Sequence, residues 1–194
     1  MRELVFLLEE ESAKAMLESL LPRILDQRIF VRAIAFEGKQ DLERQLERKL
    51  RNYANREARF IVIRDQDSGD CKAIKASLLE RCRRSGRVAS TLVRIACREL
   101  ESFYLADLAA VERALGLHGL GAQQDKAKFR NPDRLGSPSS ELRHLTRGLY
   151  QKVGGSRVMG HHLDPSNLRS PSFSSLVSAI RTWEIELLTS IGDA

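Results

Sequence analysis

A chain of 194 residues, 42% hydrophobic and 30% charged, has the size and balance of one globular domain, or of one domain with an appendage. It is long enough to bury a core without disulfides, and no apolar run approaches the roughly eighteen residues that would point to a membrane span. Lys+Arg 32 against Asp+Glu 26 leaves a net charge of +6, which suits a polyanionic partner without requiring one. The three cysteines, Cys71, Cys82 and Cys97, are well separated, and no pair has zinc-ligand spacing. Their odd number points to buried thiols in a reducing cytoplasm.

Leu4-Val5-Phe6-Leu7-Leu8 is a continuous apolar run of strand length, as expected of a strand covered on both faces. Glu9-Glu10-Glu11-Ser12 follows, and then a helix whose apolar face is Met16, Leu17, Leu20 and Leu21, with Pro22 near its end. Residues 29–36 predict a second strand with Ile29, Val31, Ala33 and Ala35 on one face. Glu37-Gly38-Lys39 turns the chain into a helix carrying Leu42, Leu46, Leu50 and Tyr53. Residues 60–63 form the third strand and run into Arg64-Asp65-Gln66-Asp67-Ser68. A third helix (Ile74, Leu78, Leu79, Cys82) stops near Gly86, and residues 92–96 make the fourth strand. A long amphipathic helix is expected over 99–115. Four strand–helix alternations of this kind predict an α/β fold, a parallel sheet with helices on both faces.

Beyond residue 115 the composition shifts. Residues 116–138 read as a long surface excursion, 139–150 as a helix with Leu142, Leu145 and Leu149 facing in, and 151–170 as a second loop rich in Gly, Ser and Pro. A last helix presents Phe173, Leu176, Val177, Ile180, Leu187 and Leu188. Residues 1–115 are thus expected to form the α/β domain and 116–194 a loop-rich helical cap on it, in one folding unit.

Ligands of open parallel sheets bind outside the carboxyl ends of the strands, and the acids fall there. Glu9 and Glu10 end the first strand, Asp65 and Asp67 the third, and Glu99 and Glu101 follow the fourth. Two carboxylates at i and i+2 of an extended segment point the same way and repel unless a cation lies between them. Each acid also has a structural reading. Glu9, Glu10, Glu99 and Glu101 would suit the positive end of a following helix, Asp70 would cap the third helix, and Asp65 and Asp67 would suit a tight turn. As a set on one sheet edge they point to Mg²⁺ or Mn²⁺, ions that take hard oxygen ligands. Two such ions about 4 Å apart stabilise both the attacking and the leaving oxygen of a phosphodiester displacement. Lys152, in the second loop beside Gly154-Gly155, is either a solvated lysine or one that meets a scissile phosphate. Lys72, Lys75, Arg98, Lys128, Arg130, Arg134, Arg157 and Arg169 are the candidate nucleic-acid contacts. Phe129, among the basic residues 126–134, either stacks on a base or anchors its loop, the second being favoured. Trp183 and Tyr104 are expected in the core, and His161-His162 in a loop without metal partners. A phosphoacceptor receiver would need a lysine where Arg98 and Glu99 stand.

A strand-end glutamate followed by Asp-x-Asp after a later strand resembles the Toprim domain of topoisomerases, primases and OLD-type nucleases. Glu9, or else Glu10, matches the Toprim glutamate, and Asp65 and Asp67 match the pair. Over nearly the whole chain, the stretches Leu8-Glu9-Glu10-Glu11-Ser12, Phe36-Glu37-Gly38-Lys39-Gln40-Asp41-Leu42, Asp65-Gln66-Asp67-Ser68, Arg94-Ile95-Ala96-Cys97-Arg98-Glu99-Leu100-Glu101, Tyr150-Gln151-Lys152-Val153-Gly154-Gly155 and Arg169-Ser170-Pro171-Ser172-Phe173 resemble domain-of-unknown-function family 4276, a bacterial family of Toprim-like fold. OLD-type enzymes carry Glu-Gly where this chain has Glu-Glu-Glu, which leaves both glutamates as candidate ligands. The resemblance implies a Toprim-like (Rossmann-like), four-stranded, mainly parallel sheet and a Mg²⁺- or Mn²⁺-dependent endonuclease of DNA or of RNA such as tRNA. It also implies an ABC-type or AAA ATPase encoded nearby as partner in anti-phage defence. The sequence has no Gly-x-x-x-x-Gly-Lys-Ser/Thr loop, so ATP use would fall to that partner. The alternative is a non-catalytic, metal-binding regulatory or adaptor subunit of the ATPase complex. Either form is compatible with a homo-oligomer.

Overall fold

The structure is a computed structural model that describes residues 1–189. Strands β1 (Glu3–Leu8), β2 (Phe30–Ala35), β3 (Arg59–Asp65) and β4 (Thr91–Ala96) form one sheet in the order β2-β1-β3-β4, with every neighbouring pair parallel. All six residues of β1 are buried, as its unbroken apolar run requires of a strand covered on both faces. The helices are α1 (Glu11–Ile24), α2 (Lys39–Arg51), α3 (Cys71–Arg84), α4 (Glu101–Leu105), α5 (Leu108–Leu115), α6 (Pro138–Leu145), α7 (Lys152–Gly160) and α8 (Pro171–Thr189).

Period-two alternation sorts the strand side chains into two cores. Val5, Leu7, Phe60, Val62, Val93 and Ile95 face α2 and α3, where Leu42, Leu46, Leu50, Leu78 and Cys82 complete the layer. Leu4, Phe6, Leu8, Ile61 and Ile63 face the other way, toward Met16 and Leu20 of α1, Phe103 and Tyr104 of α4, Met159 of α7 and Phe173 and Ile180 of α8. Trp183 is in this second core and its indole N–H donates to the Phe60 carbonyl at 2.9 Å, tying α8 to β3. Strand β2 is an edge: Val31 and Ala33 pack inward, while Phe30 is exposed.

Three expected elements come out differently. The helix expected over 99–115 is two helices, α4 and α5. Asp107 breaks it by capping α5: one carboxylate oxygen accepts from Ala110 N–H at 2.9 Å and the other from Asp164 N–H at 2.9 Å. The helix expected over 139–150 ends at Leu145, after which Arg147 and Gly148 take positive φ, and Leu149 is exposed rather than facing in. The largest difference is α7, which occupies the first part of the loop expected over 151–170. Glycine disfavours helix by about 1 kcal/mol per residue, but here the bare backbone is what the packing needs. A Cβ on Gly160 would lie 2.3 Å from the Met16 carbonyl oxygen of α1, and one on Gly155 would lie 2.4 Å from the Tyr150 ring. Residues 116–138 contain short 3-10 turns, and Phe129 in one of them is buried, as the anchoring reading expects. Cys82 is buried, whereas Cys71 and Cys97 keep partial exposure, so burial of all three thiols does not hold. Among the described residues no helix is long and apolar enough to cross a membrane.

Candidate functional site

The strand order makes β1 and β3 the switch point of the sheet. The segment leaving β1 enters α1 on one face, and the segment leaving β3 enters α3 on the other. The crevice between two such loops is where open α/β sheets take ligands. Glu9 sits across it: its backbone N–H donates to Ile63 O at 3.1 Å, and its carboxylate accepts Asp65 N–H at 3.0 Å. Asp65 is the last residue of β3, in phase with Ile61 and Ile63, so it belongs to the face on which α4 packs. Helix α4 begins at Glu101, which is only 1% exposed.

These three carboxyls lie in surroundings that disfavour charge. Burial pushes Asp65 well above the usual carboxylate range, and the charges of Glu9, Glu101 and Glu10 push the same way. As a residue Asp65 keeps partial exposure, although its carboxyl is strongly desolvated by burial. Burial also raises Glu9, against the opposing hydrogen bond from Asp65 N–H. It raises Glu101 too, against hydrogen bonds that include the one from Tyr150.

A layer of hydroxyls backs the acids. Tyr150 Oη donates to Glu101 Oε1 at 3.0 Å and lies 3.2 Å from Ser156 Oγ, which donates to Lys152 O at 2.6 Å. Tyr104 is fully buried, and Ser156 is the hydrogen-bonding neighbour of its hydroxyl. Burial raises its pKa strongly, and the charges of Glu101, Asp65 and Glu10 add to the rise. The Tyr104 hydroxyl thus stands within the field of the acid cluster. The sequence reading of Tyr104 as a core residue holds for its ring and omits its hydroxyl.

Two acids carry lysines. Glu10 accepts Ser12 Oγ at 2.7 Å and Lys152 Nζ at 2.6 Å. Asp67 pairs with Lys39 Nζ at 2.7 Å. The alternation that would set Asp65 and Asp67 on one side stops at Asp65, because Asp67 is outside the strand at φ +54°. Its N–H donates to Arg98 O at 2.7 Å, and Arg98, itself at φ +63°, donates its N–H to Gln66 Oε1 at 3.2 Å. The turns after β3 and β4 are therefore interlocked. Glu99 accepts Ser139 N–H at 2.6 Å at the start of α6, the helix-end role that was the structural reading for it, though on a different helix. The structure thus gathers Glu9, Glu10, Asp65, Glu101 and Lys152, sets Asp67 beside Glu9, and leaves Glu99 at the rim.

Among the described residues no three His, Cys, Asp or Glu side chains are arranged to hold one ion. The chemistry of the donor set nevertheless fits a hard divalent cation: every candidate ligand is an oxygen, and the carboxyls are raised by burial and by neighbouring acids, a rise that Arg64 near Glu9 and Lys152 near Glu101 offset only in part. Glu9, Asp65 and Glu101 are the residues that would hold it, with Glu10 and Asp67 adjoining.

An open cavity of about 430 Å³ adjoins the edge, lined by Glu101, Ser139, Arg143, Tyr150 and Lys152 among others. Arg143 and Lys39 were not singled out from sequence. Lys39 had a usable signal, since it closes the turn after the second strand and so belongs to the same sheet edge. Of the basic candidates, Lys72 and Lys75 are exposed near the start of α3, and Arg98 is held in the turn described above. Lys128 pairs with Glu141 at 2.6 Å, Arg157 with Glu18 at 3.2 Å, Arg169 with Asp125 at 3.8 Å, and Arg130 Nε donates to Asp125 O at 3.1 Å. Arg134 is exposed on a 3-10 turn. His161 caps the end of α7, and His162 follows it.

Residues 8–181 match the family described as "Domain of unknown function (DUF4276)". The chain belongs to this DUF4276 family. No curated protein matches the sequence. Among solved structures, the C-terminal region of the Burkholderia pseudomallei OLD protein is similar at a TM-score of 0.53 and 13% identity, covering 91% of this chain and 98% of that one. At this identity the likeness is one of fold, and it agrees with the Toprim-like sheet expected from the DUF4276 and Toprim motifs.

Proposed function

We propose that this chain is a divalent-metal-dependent phosphodiesterase acting on nucleic acid, an endonuclease of DNA or RNA. The reading rests above all on the convergence of Glu9, Asp65 and Glu101 at the switch point, in surroundings that raise all three carboxyls and so favour a bound cation. A divalent cation there would neutralise the charge that develops on the phosphoryl oxygens during displacement. The protein's own part is positional. Asp65 N–H orients the Glu9 carboxylate, Tyr150 orients Glu101, and Lys152 and Arg143 line the cavity at its mouth, where they can receive the phosphate backbone. An ABC-type or AAA ATPase from a separate polypeptide, acting with this chain in anti-phage defence, is the partner proposed from the family resemblance.

Incubation of plasmid DNA and of tRNA with the protein in Mn²⁺, Mg²⁺ or EDTA tests this directly. Cleavage is expected with metal and not with EDTA. Activity that survives Asp65→Ala combined with Asp67→Ala removes the assignment. Absence of cleavage by the co-purified ATPase complex supplied with ATP and metal selects the non-catalytic regulatory subunit instead.

A further inference from the structure

Lys39 and Lys152 approach the acidic edge from opposite sides, one heading α2 and the other heading α7. Each places its ammonium on one carboxylate oxygen, Lys39 on Asp67 at 2.7 Å and Lys152 on Glu10 at 2.6 Å. The two acids so neutralised adjoin Glu9, the crevice carboxyl whose hydrogen bond among the described residues is from the Asp65 backbone N–H. Both lysines are about half exposed, at 47% and 55% of the side chain, so neither is packed in place. Exposed ion pairs of this kind are weak, and lysine is a mobile point charge on a flexible stem, unlike the planar fork of arginine. A doubly charged ion entering the crevice outcompetes such partners for the same oxygens.

We propose, resting on the metal-site reading above, that Lys39 and Lys152 are resident counter-ions that a divalent cation displaces, and that the freed ammonium groups then bind phosphates of the nucleic-acid substrate. In the metal-free chain the lysines hold Asp67 and Glu10 and are withheld from polyanions. With metal bound, two cations become available on either side of the site. Linkage makes the effect reciprocal: metal strengthens phosphate binding, and phosphate binding strengthens metal binding.

The test combines calorimetric Mn²⁺ titration with fluorescence anisotropy of a labelled oligonucleotide across a salt series, on wild type, Lys39→Met, Lys152→Met and the corresponding Gln variants. Removing a competing cation is expected to tighten Mn²⁺ binding up to about fivefold per lysine. In Mn²⁺, each substitution is expected to weaken oligonucleotide binding and to lower the slope of log K against log salt by about one. Without metal, variants and wild type are expected to bind the oligonucleotide alike. Weaker or unchanged Mn²⁺ affinity in the variants, or a salt slope that drops equally without metal, overturns the exchange while leaving the metal site standing. A wild type that takes up neither Mn²⁺ nor Mg²⁺ overturns both.

Discussion

Replacing Gly155 by alanine separates helix propensity from site geometry. Gly155 is the fourth residue of α7, at the end of its first turn, where a Cβ would stand 2.4 Å from Tyr150 Cδ2 and 2.6 Å from Cε2. The ring must move, and with it the hydroxyl that holds Glu101 at 3.0 Å. Overpacking of this kind costs about 1–3 kcal/mol, offset by about 0.5–1 kcal/mol from the better helix former. A net loss of up to about 2.5 kcal/mol corresponds to a melting temperature lower by up to about 10 °C, at about 2–4 °C per kcal/mol for a chain of this size. Gly154 is the internal control, one residue earlier in the same helix with nothing within 4 Å of its would-be Cβ. Gly154→Ala therefore gains about 0.5–1 kcal/mol and melts about 1–4 °C higher. Thermal melts by circular dichroism on both variants read the two signs. A Gly155→Ala protein stabilised as much as Gly154→Ala would falsify the packing of Tyr150 on α7, and with it the support assigned to Glu101.

Asp65→Asn is expected to stabilise the metal-free protein, and increasingly so as pH rises. The folded Asp65 carboxyl titrates above its unfolded value, so the folded state keeps a proton that the unfolded chain has lost. The stability tied to that proton is complete below the unfolded pKa and is lost as pH rises through the folded one. The difference in melting temperature between variant and wild type in EDTA should widen from mildly acidic to neutral pH and shrink when Mn²⁺ is added; a difference that is flat with pH refutes the assignment. Phe129→Ala should cost about 3–5 kcal/mol as a buried ring is lost from its loop, read as a shift in urea midpoint. Unchanged stability with weakened oligonucleotide binding would make Phe129 a stacking residue instead.

The sheet was legible from local pattern. Unbroken apolar runs mark β1 and β3 because strands covered on both faces need no polar side, and short helical periods between them leave few ways to connect four parallel strands. Once the strands are placed, their carboxyl ends are placed too, so Glu9, Glu10, Asp65 and Lys39 share an edge as a matter of chain direction. Which of the acids face one another is a different kind of fact. Asp65 and Asp67 look equivalent in sequence, yet the left-handed turn at Asp67 sends one to the floor of the crevice and the other to Lys39. Glu99 and Glu101 look equivalent too, until α4 starts at the second and α6 takes the first as its cap. Helix α7 was invisible because glycine's low helix propensity is a local quantity, and the close approach to Met16 and Tyr150 that rewards glycine there is not. The pairing of Lys152 with Glu10 spans 142 residues, and that of Lys39 with Asp67 spans 28. The sequence by itself determined which residues reach the sheet edge. Only the tertiary structure decided which of them are buried together, which are neutralised by lysine and which merely end a helix, because those outcomes depend on distances between segments that no local period encodes.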